Sequence, residues 1–177
     1  MCTHSLTTDR LRLRRWKDED LDPYAELCAN SEVMQWIGSG AVQTREECSA
    51  AIEKFERFWE DNGFGLFAVE HLESARLIGF TGLAIPEFLP EVMPSIEIGW
   101  RFARDTWGYG FATEAAHAAL DFGQNKRGID RVISIHQVGN DASGRIMEKI
   151  GMSLFLETID PSCGRPVKVY ETNTKWP

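Results

Sequence analysis

The chain reads as a mixed α/β (α+β) fold: one domain over residues 8–176, a twisted sheet of about seven strands flanked by about four helices. Three observations predict this. Period-2 and period-3.6 hydrophobic patterns are interleaved along the chain rather than segregated. Turn residues separate these runs with no repeat, low-complexity stretch or linker between them. At 177 residues, 43% hydrophobic and 26% charged, the composition is that of a chain with one ordinary core.

Thr8–Trp16 sets Leu11 and Leu13 against Arg10, Arg12 and Arg14, a strand pattern. Asp18 or Asp20 can cap a helix to about Asn30 that presents Leu21, Tyr24, Leu27 and Cys28. Gln35–Gln43 contains Gly38 and Gly40 and reads as a loop. Thr44-Arg-Glu-Glu47 is a capping-box sequence, and its helix carries Ile52, Phe55, Phe58 and Trp59 to a stop at Asn62-Gly63. Phe64–His71 and Arg76–Ile85 predict a hairpin, and Pro86–Pro94, with three prolines, a loop. Ser95–Ala103 alternates Ile96, Ile98, Trp100 and Phe102 against Glu97, Gly99 and Arg101, the mark of a strand. Ala112, Ala115, Ala116, Ala119, Leu120 and Gly123 then fall on one helical face. A strand at Arg131–Val138 and a helix from about Asn140 to Ile150, ended by Gly151, come next. Strands at Ser153–Ile159 and Val167–Thr174 close the order around a Pro161–Pro166 turn.

A net charge of −8 argues against a nucleic-acid partner and suits a cationic one, although solubility alone accounts for it. No run of about 18 apolar residues occurs, so no membrane-spanning helix is expected. Met1–Arg10 lacks a secretory-signal layout, which makes a cytoplasmic location the expectation. Cys2, Cys28, Cys48 and Cys163 show no CxxC pairing and no His at ligand spacing, so reduced thiols and no metal are expected. Cys163, in a Pro-Ser-Cys-Gly-Arg-Pro turn, has no nearby base to activate it as a nucleophile.

The segment Trp107-Gly-Tyr-Gly-Phe-Ala-Thr-Glu-Ala115 joins a predicted strand to a predicted helix. A glycine-bearing turn into a helix N-terminus presents unpaired N–H groups and the positive end of the helix dipole, which suits a phosphate. A dinucleotide fingerprint fails here. Gly108-Tyr-Gly-Phe-Ala-Thr113 lacks the third glycine, and Asp130 precedes the next strand instead of ending it. No GK[ST] of a P-loop is present either.

With this segment stand Ile96-Glu-Ile-Gly-Trp100, Asn140-Asp-Ala-Ser143 leading to Glu148-Lys-Ile-Gly151, Val33-Met-Gln-Trp-Ile-Gly38 and Thr44–Glu47. On these residues the chain resembles the GNAT superfamily of acetyl-CoA-dependent N-acetyltransferases, in its RimJ/RimL-like (ribosomal-protein N-acetyltransferase-like) branch, over roughly Thr8 to Lys175. The resemblance implies direct acetyl transfer to a primary amine in a ternary complex, the acceptor being a protein N-terminus or a small amine. A homodimer is compatible with it. It implies that the main-chain amides of Trp107, Gly108, Tyr109, Gly110, Phe111, Ala112 and Thr113 cradle the CoA pyrophosphate. The strand at Trp100 and Phe102 would pair with the pantetheine arm.

An α-amine titrates near about 8 and a lysine near about 10.4, so transfer needs a base or a desolvating site. By resemblance Glu97 is the candidate base, acting through water, the alternative being a strand carboxylate facing solvent or a basic neighbour. Ser143 is the candidate acid for the leaving thiolate. Asn140 caps the last helix on any reading and by resemblance also bonds pantetheine or a nearby water. Two positions depart from the family pattern. Asp105 replaces the usual Gln or Arg, leaving Arg101 or Arg104 to supply a side-chain contact to phosphate. Met147 stands where many members carry Tyr, which keeps a non-catalytic acyl-CoA-binding sensor as the alternative function. His117, His136 and Tyr170 are expected to pack, and Glu114 to complement the helix dipole. Trp36, Phe88 and Leu89 are expected to wall the acceptor site.

Overall fold

The computed structural model describes residues 5–172, so Cys2, the expected strand end at Thr174 and the domain end at 176 lie outside the described residues. Eight strands form one mixed sheet in the order β1-β2-β3-β4-β5-β6-β8-β7. They are β1 (Leu6–Thr7), β2 (Leu11–Arg14), β3 (Leu66–His71), β4 (Arg76–Ala84), β5 (Ile96–Phe102), β6 (Val132–Gln137), β7 (Met152–Asp160) and β8 (Arg165–Thr172). The α-helices are α1 (Leu21–Ala29), α2 (Ser31–Met34), α3 (Arg45–Asn62), α4 (Phe111–Asp121) and α5 (Asp141–Lys149).

The extra strand and helix relative to the sequence expectation have local causes. The strand predicted from Thr8 starts only at Leu11, because the Thr8 N–H and hydroxyl both turn back to the Leu11 carbonyl, and the preceding Leu6–Thr7 pairs with β2 as the short β1. Asn30 ends α1 in an extended conformation, and its side chain accepts from Glu32 N–H and Val33 N–H to start α2. The predicted capping box of α3 forms in full, with Glu47 N–H to Thr44 Oγ1 at 3.2 Å and Thr44 N–H to Glu47 Oε2 at 2.7 Å. Gly63, left-handed at φ 72°, stops that helix.

Side-chain alternation gives the sheet two buried faces. On one, α4 packs Ala115, Ala116, Ala119 and Leu120 against Leu13, Phe67, Ile98 and Phe102. On the other, Tyr24, Leu27, Cys28 and Cys48 from α1 and α3 meet Ala68 and Phe80. Arg14 lies buried on this second side. Its guanidinium donates to Asp20 at 2.7 and 2.8 Å and to Glu70 at 2.9 Å. Hydrogen bonding to Asp20 raises its pKa against the opposing effect of burial. Asp20→Ala would leave that charge half-paired, and we expect a loss of about 3 kcal/mol in the unfolding free energy obtained from urea titration.

The feature that positions the site is a split in the sheet. β5 and β6 run parallel but pair only at Ile96 with Val132 and Glu97 with Ile133. Beyond that point the strands diverge. The buried Ser134 hydroxyl donates to the Ile98 carbonyl at 2.8 Å, satisfying a group that the lost ladder would have paired.

Candidate active site

A cleft of about 740 Å³ occupies the split between β5 and β6. Every residue predicted as catalytic or as part of the CoA cradle and its strand lines it except Tyr109. Because strand residues alternate, Trp100, Phe102, Ser134 and His136 face α4 and α5, whereas Glu97, Gly99, Arg101, Ile135 and Gln137 face α1–α3. The cleft thus opens on both sides of the sheet.

On the α4 side, Trp107–Thr113 forms the turn into the helix. Gly108 (φ 86°) and Gly110 (φ 83°) adopt left-handed conformations that a side chain would strain. The N–H groups of residues 108–113 carry no hydrogen bond to described residues, so a row of donors faces the cleft at a helix N-terminus. Trp107 Nε1 donates to the Phe102 carbonyl at 2.9 Å, which ties this turn to the end of β5. The Tyr109 side chain points away, 64% exposed and stacked on Phe111, so only its main chain belongs to the turn.

Beneath the turn, Arg10 donates to the Tyr109 carbonyl at 3.0 Å and to Glu114 at 2.7 Å, with its guanidinium 4.6 Å from the Phe111 ring centroid. Burial pushes the Glu114 carboxyl up, but bonds from Thr8 and Arg10 outweigh this and hold it below the usual range. Glu114 is therefore an anchored carboxylate in the first turn. Neither arginine expected to replace the missing phosphate donor is free for that role. Arg104 is paired with Glu32 at 2.8 Å, and Arg101 points to the opposite face of the sheet. Asp105 accepts from Arg76 at 2.7 Å. The cations that do line the cleft near the turn are Arg145 and Lys149, one helical turn apart on α5. That i, i+4 spacing was the sequence signal for them.

Asn140 caps α5 by accepting from Ser143 N–H at 3.3 Å, and both residues line the cleft. Nearby, His136 donates from Nδ1 to the Gln137 carbonyl at 2.9 Å, which leaves Nε2 as the acceptor. Nε2 is buried without a partner among the described residues and faces Gly144, where an added Cβ would lie 3.2 Å from it. Burial holds this imidazole below its usual pKa, against the bond to Gln137. His136 and Tyr170 do pack, with ring centroids 5.6 Å apart, yet His136 also borders the cleft.

On the other side of the sheet, Glu97 sits at the apex of the split. It keeps some surface toward the cleft, but protein encloses it at depth, and desolvation pushes its pKa up to about 8 against a main-chain hydrogen bond at Ile135. It is not a strand carboxylate facing bulk solvent. Arg101 stacks on Phe80 at 5.2 Å and donates to Cys28 Sγ at 3.2 Å, while its buried Nε has no partner among the described residues. Trp36 and Phe88 wall this half as expected. Leu89 does not. It is 1% exposed and packs with Val92, Ile133, Val167 and Val169 in a small core of its own. Among the described residues, no group of three or more His, Cys, Asp or Glu is placed to hold a metal.

The profile of the family described as "Acetyltransferase (GNAT) domain" matches residues 10–153. The uncharacterized N-acetyltransferase YnaD of Bacillus subtilis (strain 168) is 33% identical over 147 residues, covering 83% of this chain and 81% of the relative. The crystal structure of an acetyltransferase (GNAT family) from Bacillus anthracis superposes with a TM-score of 0.81 at 26% identity, over 98% of this chain and 100% of that one. A spermidine N-acetyltransferase from Vibrio cholerae, in complex with CoA and spermine, shares the fold at a TM-score of 0.75 and 20% identity, over 94% and 97% of the two chains. An acetyltransferase fold split at β5 and β6, with a donor-rich turn on one side and a protonatable carboxyl on the other, is that of an acyl-transferring enzyme. The chain belongs to the GNAT acetyltransferase family.

Proposed function

We propose that the protein moves an acetyl group from acetyl-CoA to a primary amine by direct transfer in a ternary complex, as in the RimJ/RimL-like branch. The observation that carries this is the two-sided cleft, with phosphate-ready amides on the α4 side and Glu97 on the other. CoA lies with its pyrophosphate on the Trp107–Thr113 amides and its pantetheine between the diverging strands, within reach of Asn140. The Glu97 carboxylate takes a proton from the ammonium, and the neutral nitrogen attacks the thioester carbonyl. The C–N bond forms and the C–S bond breaks as the Ser143 hydroxyl protonates the departing thiolate; the second proton of the attacking nitrogen returns to Ser143 through water, and Glu97 gives its proton to solvent. A binding-only role is not favoured, since the cleft retains a carboxyl poised to titrate near neutrality.

Thiol release from acetyl-CoA with a panel of amines tests the reading, and CoA at about 100 times its dissociation constant should stabilise the fold by about 2.7 kcal/mol. Absence of both effects would sink it. Arg10→Ala removes the tie to Tyr109 and leaves Glu114 uncompensated below the phosphate, so CoA affinity by calorimetry should fall about tenfold.

A further inference from the structure

Resting on that reading, we infer that the acceptor is a small monoamine with an uncharged, apolar body, held under a clasped roof on the α1–α3 side of the sheet.

Val33, Trp36, Phe80, Phe88, Ile135 and Val167 give this half aliphatic and aromatic walls, interrupted by the uncharged polar side chains of Gln137 and Ser162. Such walls bury an apolar body and give a charged or heavily hydrated one nothing in return for its lost water. Two carboxyls border the space. The Asp160 carboxylate is already engaged by Ser162 N–H at 2.8 Å, Ser162 Oγ at 2.6 Å and Cys163 Sγ at 3.3 Å. Those donors are neutral and leave Asp160 its charge, but they hold its oxygens in the turn after β7, whereas Glu97 at the apex of the split is the carboxyl placed to meet the reacting ammonium. The remaining charge on the wall is the Arg101 guanidinium, four residues along the same strand, which repels a second ammonium.

The roof limits size. The segment after α2 crosses the mouth of the cleft and is fastened on the far side. Arg165 donates to the Gln35 carbonyl at 2.7 Å, to Gln137 Oε1 at 2.8 Å and to the Ser39 carbonyl at 2.6 Å. Gln137 Nε2 donates to the Gly38 carbonyl at 2.7 Å. The far edge of the Trp36 ring rests on Gly139, where an added Cβ would lie 3.2 Å from it. The strap joins the two diverging halves of the sheet above Glu97. An N-terminus presented on a folded protein surface finds no open trough here, and an extended polycation meets the Arg101 guanidinium among apolar walls.

The test measures thiol release at saturating acetyl-CoA with phenethylamine and isoamylamine, with spermidine, and with short peptides carrying a free N-terminus. The monoamines should show kcat/KM at least about tenfold above the others, the scale of discrimination that a shaped apolar pocket provides. Trp36→Ala should raise the monoamine KM about tenfold and leave the acetyl-CoA KM within about twofold. Spermidine or the peptides reacting as fast as the monoamines would overturn the inference while leaving acetyl transfer intact. No thiol release with any amine would remove the acetyl-transfer reading and the acceptor class with it. If Trp36→Ala proves unstable, Arg165→Ala, which loosens the strap and leaves the apolar walls in place, should narrow the preference for monoamines. An unchanged preference in that variant would count against the roof.

Discussion

Glu97→Gln should lower kcat/KM by about 10² to 10⁴, the usual contribution of a positioned base. The wild-type profile should rise with pH to a plateau above about 8, because the proposed mechanism needs the carboxylate and burial places its pKa there. The variant should lose that limb, leaving only the ionisation of the amine itself. Stability gives a second, independent readout. The carboxyl titrates near 4.5 when exposed and about 8 in the fold, so between these values the folded state binds the extra proton. Stability contributed by the protonated form is complete below about pH 4.5 and is lost as pH rises toward 8. Gln carries no such charge. The variant should match wild type near pH 4 and exceed it near pH 8 by about 2 kcal/mol, since cleft water relieves part of the penalty. At this chain length that is about 4–8 °C in Tm. Equal pH dependence of the two melting curves would mean that Glu97 ionises freely.

Gly82→Ala should be the most damaging single methyl addition in the sheet. Gly82 in β4 stands opposite Leu66 and Gly99, and a Cβ there would fall 2.2 Å from the Gly65 carbonyl oxygen and 2.8 Å from Leu66 Cα. Neither atom can retreat. The Gly65 carbonyl accepts from Leu83 N–H at 3.1 Å, and Gly65 itself lies so close under Trp59 that its own Cβ would come 2.5 Å from the indole. With φ at 153° adding backbone strain, a loss of at least about 3 kcal/mol is expected in urea unfolding. Gly99→Ala is the matched control. A Cβ at this paired position meets nothing within 4 Å, so stability should move by no more than about 0.5 kcal/mol. A similar loss in both variants would rule out the clash as the cause.

Local signals carried most of the secondary structure and the donor half of the cleft. The Thr44–Glu47 box, the left-handed Gly63 and the strand alternation from Ile96 to Phe102 are rules that operate within a few residues. The same holds for the glycine turn and for Asn140 with Ser143, which is why these residues reached the cleft as expected. The rest depends on partners far away in the chain. Burial of Arg14 needs Asp20 and Glu70 together, and alternation alone cannot distinguish an arginine in an ion-pair network from one in water. Leu89 and Phe88 are neighbours in one proline-rich loop, yet one fills a core and the other walls the cleft, because β6 and β8 lie beneath the first. Arg165 holds Gln35 and Ser39, about 130 positions earlier, and no motif marks such a pairing.

The two residue pairs at the apex and the Arg165 fastening at the mouth together make the cleft a braced frame. A hinged V changes its angle under any load, but a V tied across its open end is a triangle and holds its shape. The Ser134 hydroxyl works at the apex like the hole drilled at the tip of a crack, ending the separation of β5 from β6 at a fixed residue. The width between the strands is therefore set before either substrate arrives. Little of the binding energy is then consumed in shaping the site, and more remains for holding donor and acceptor in line.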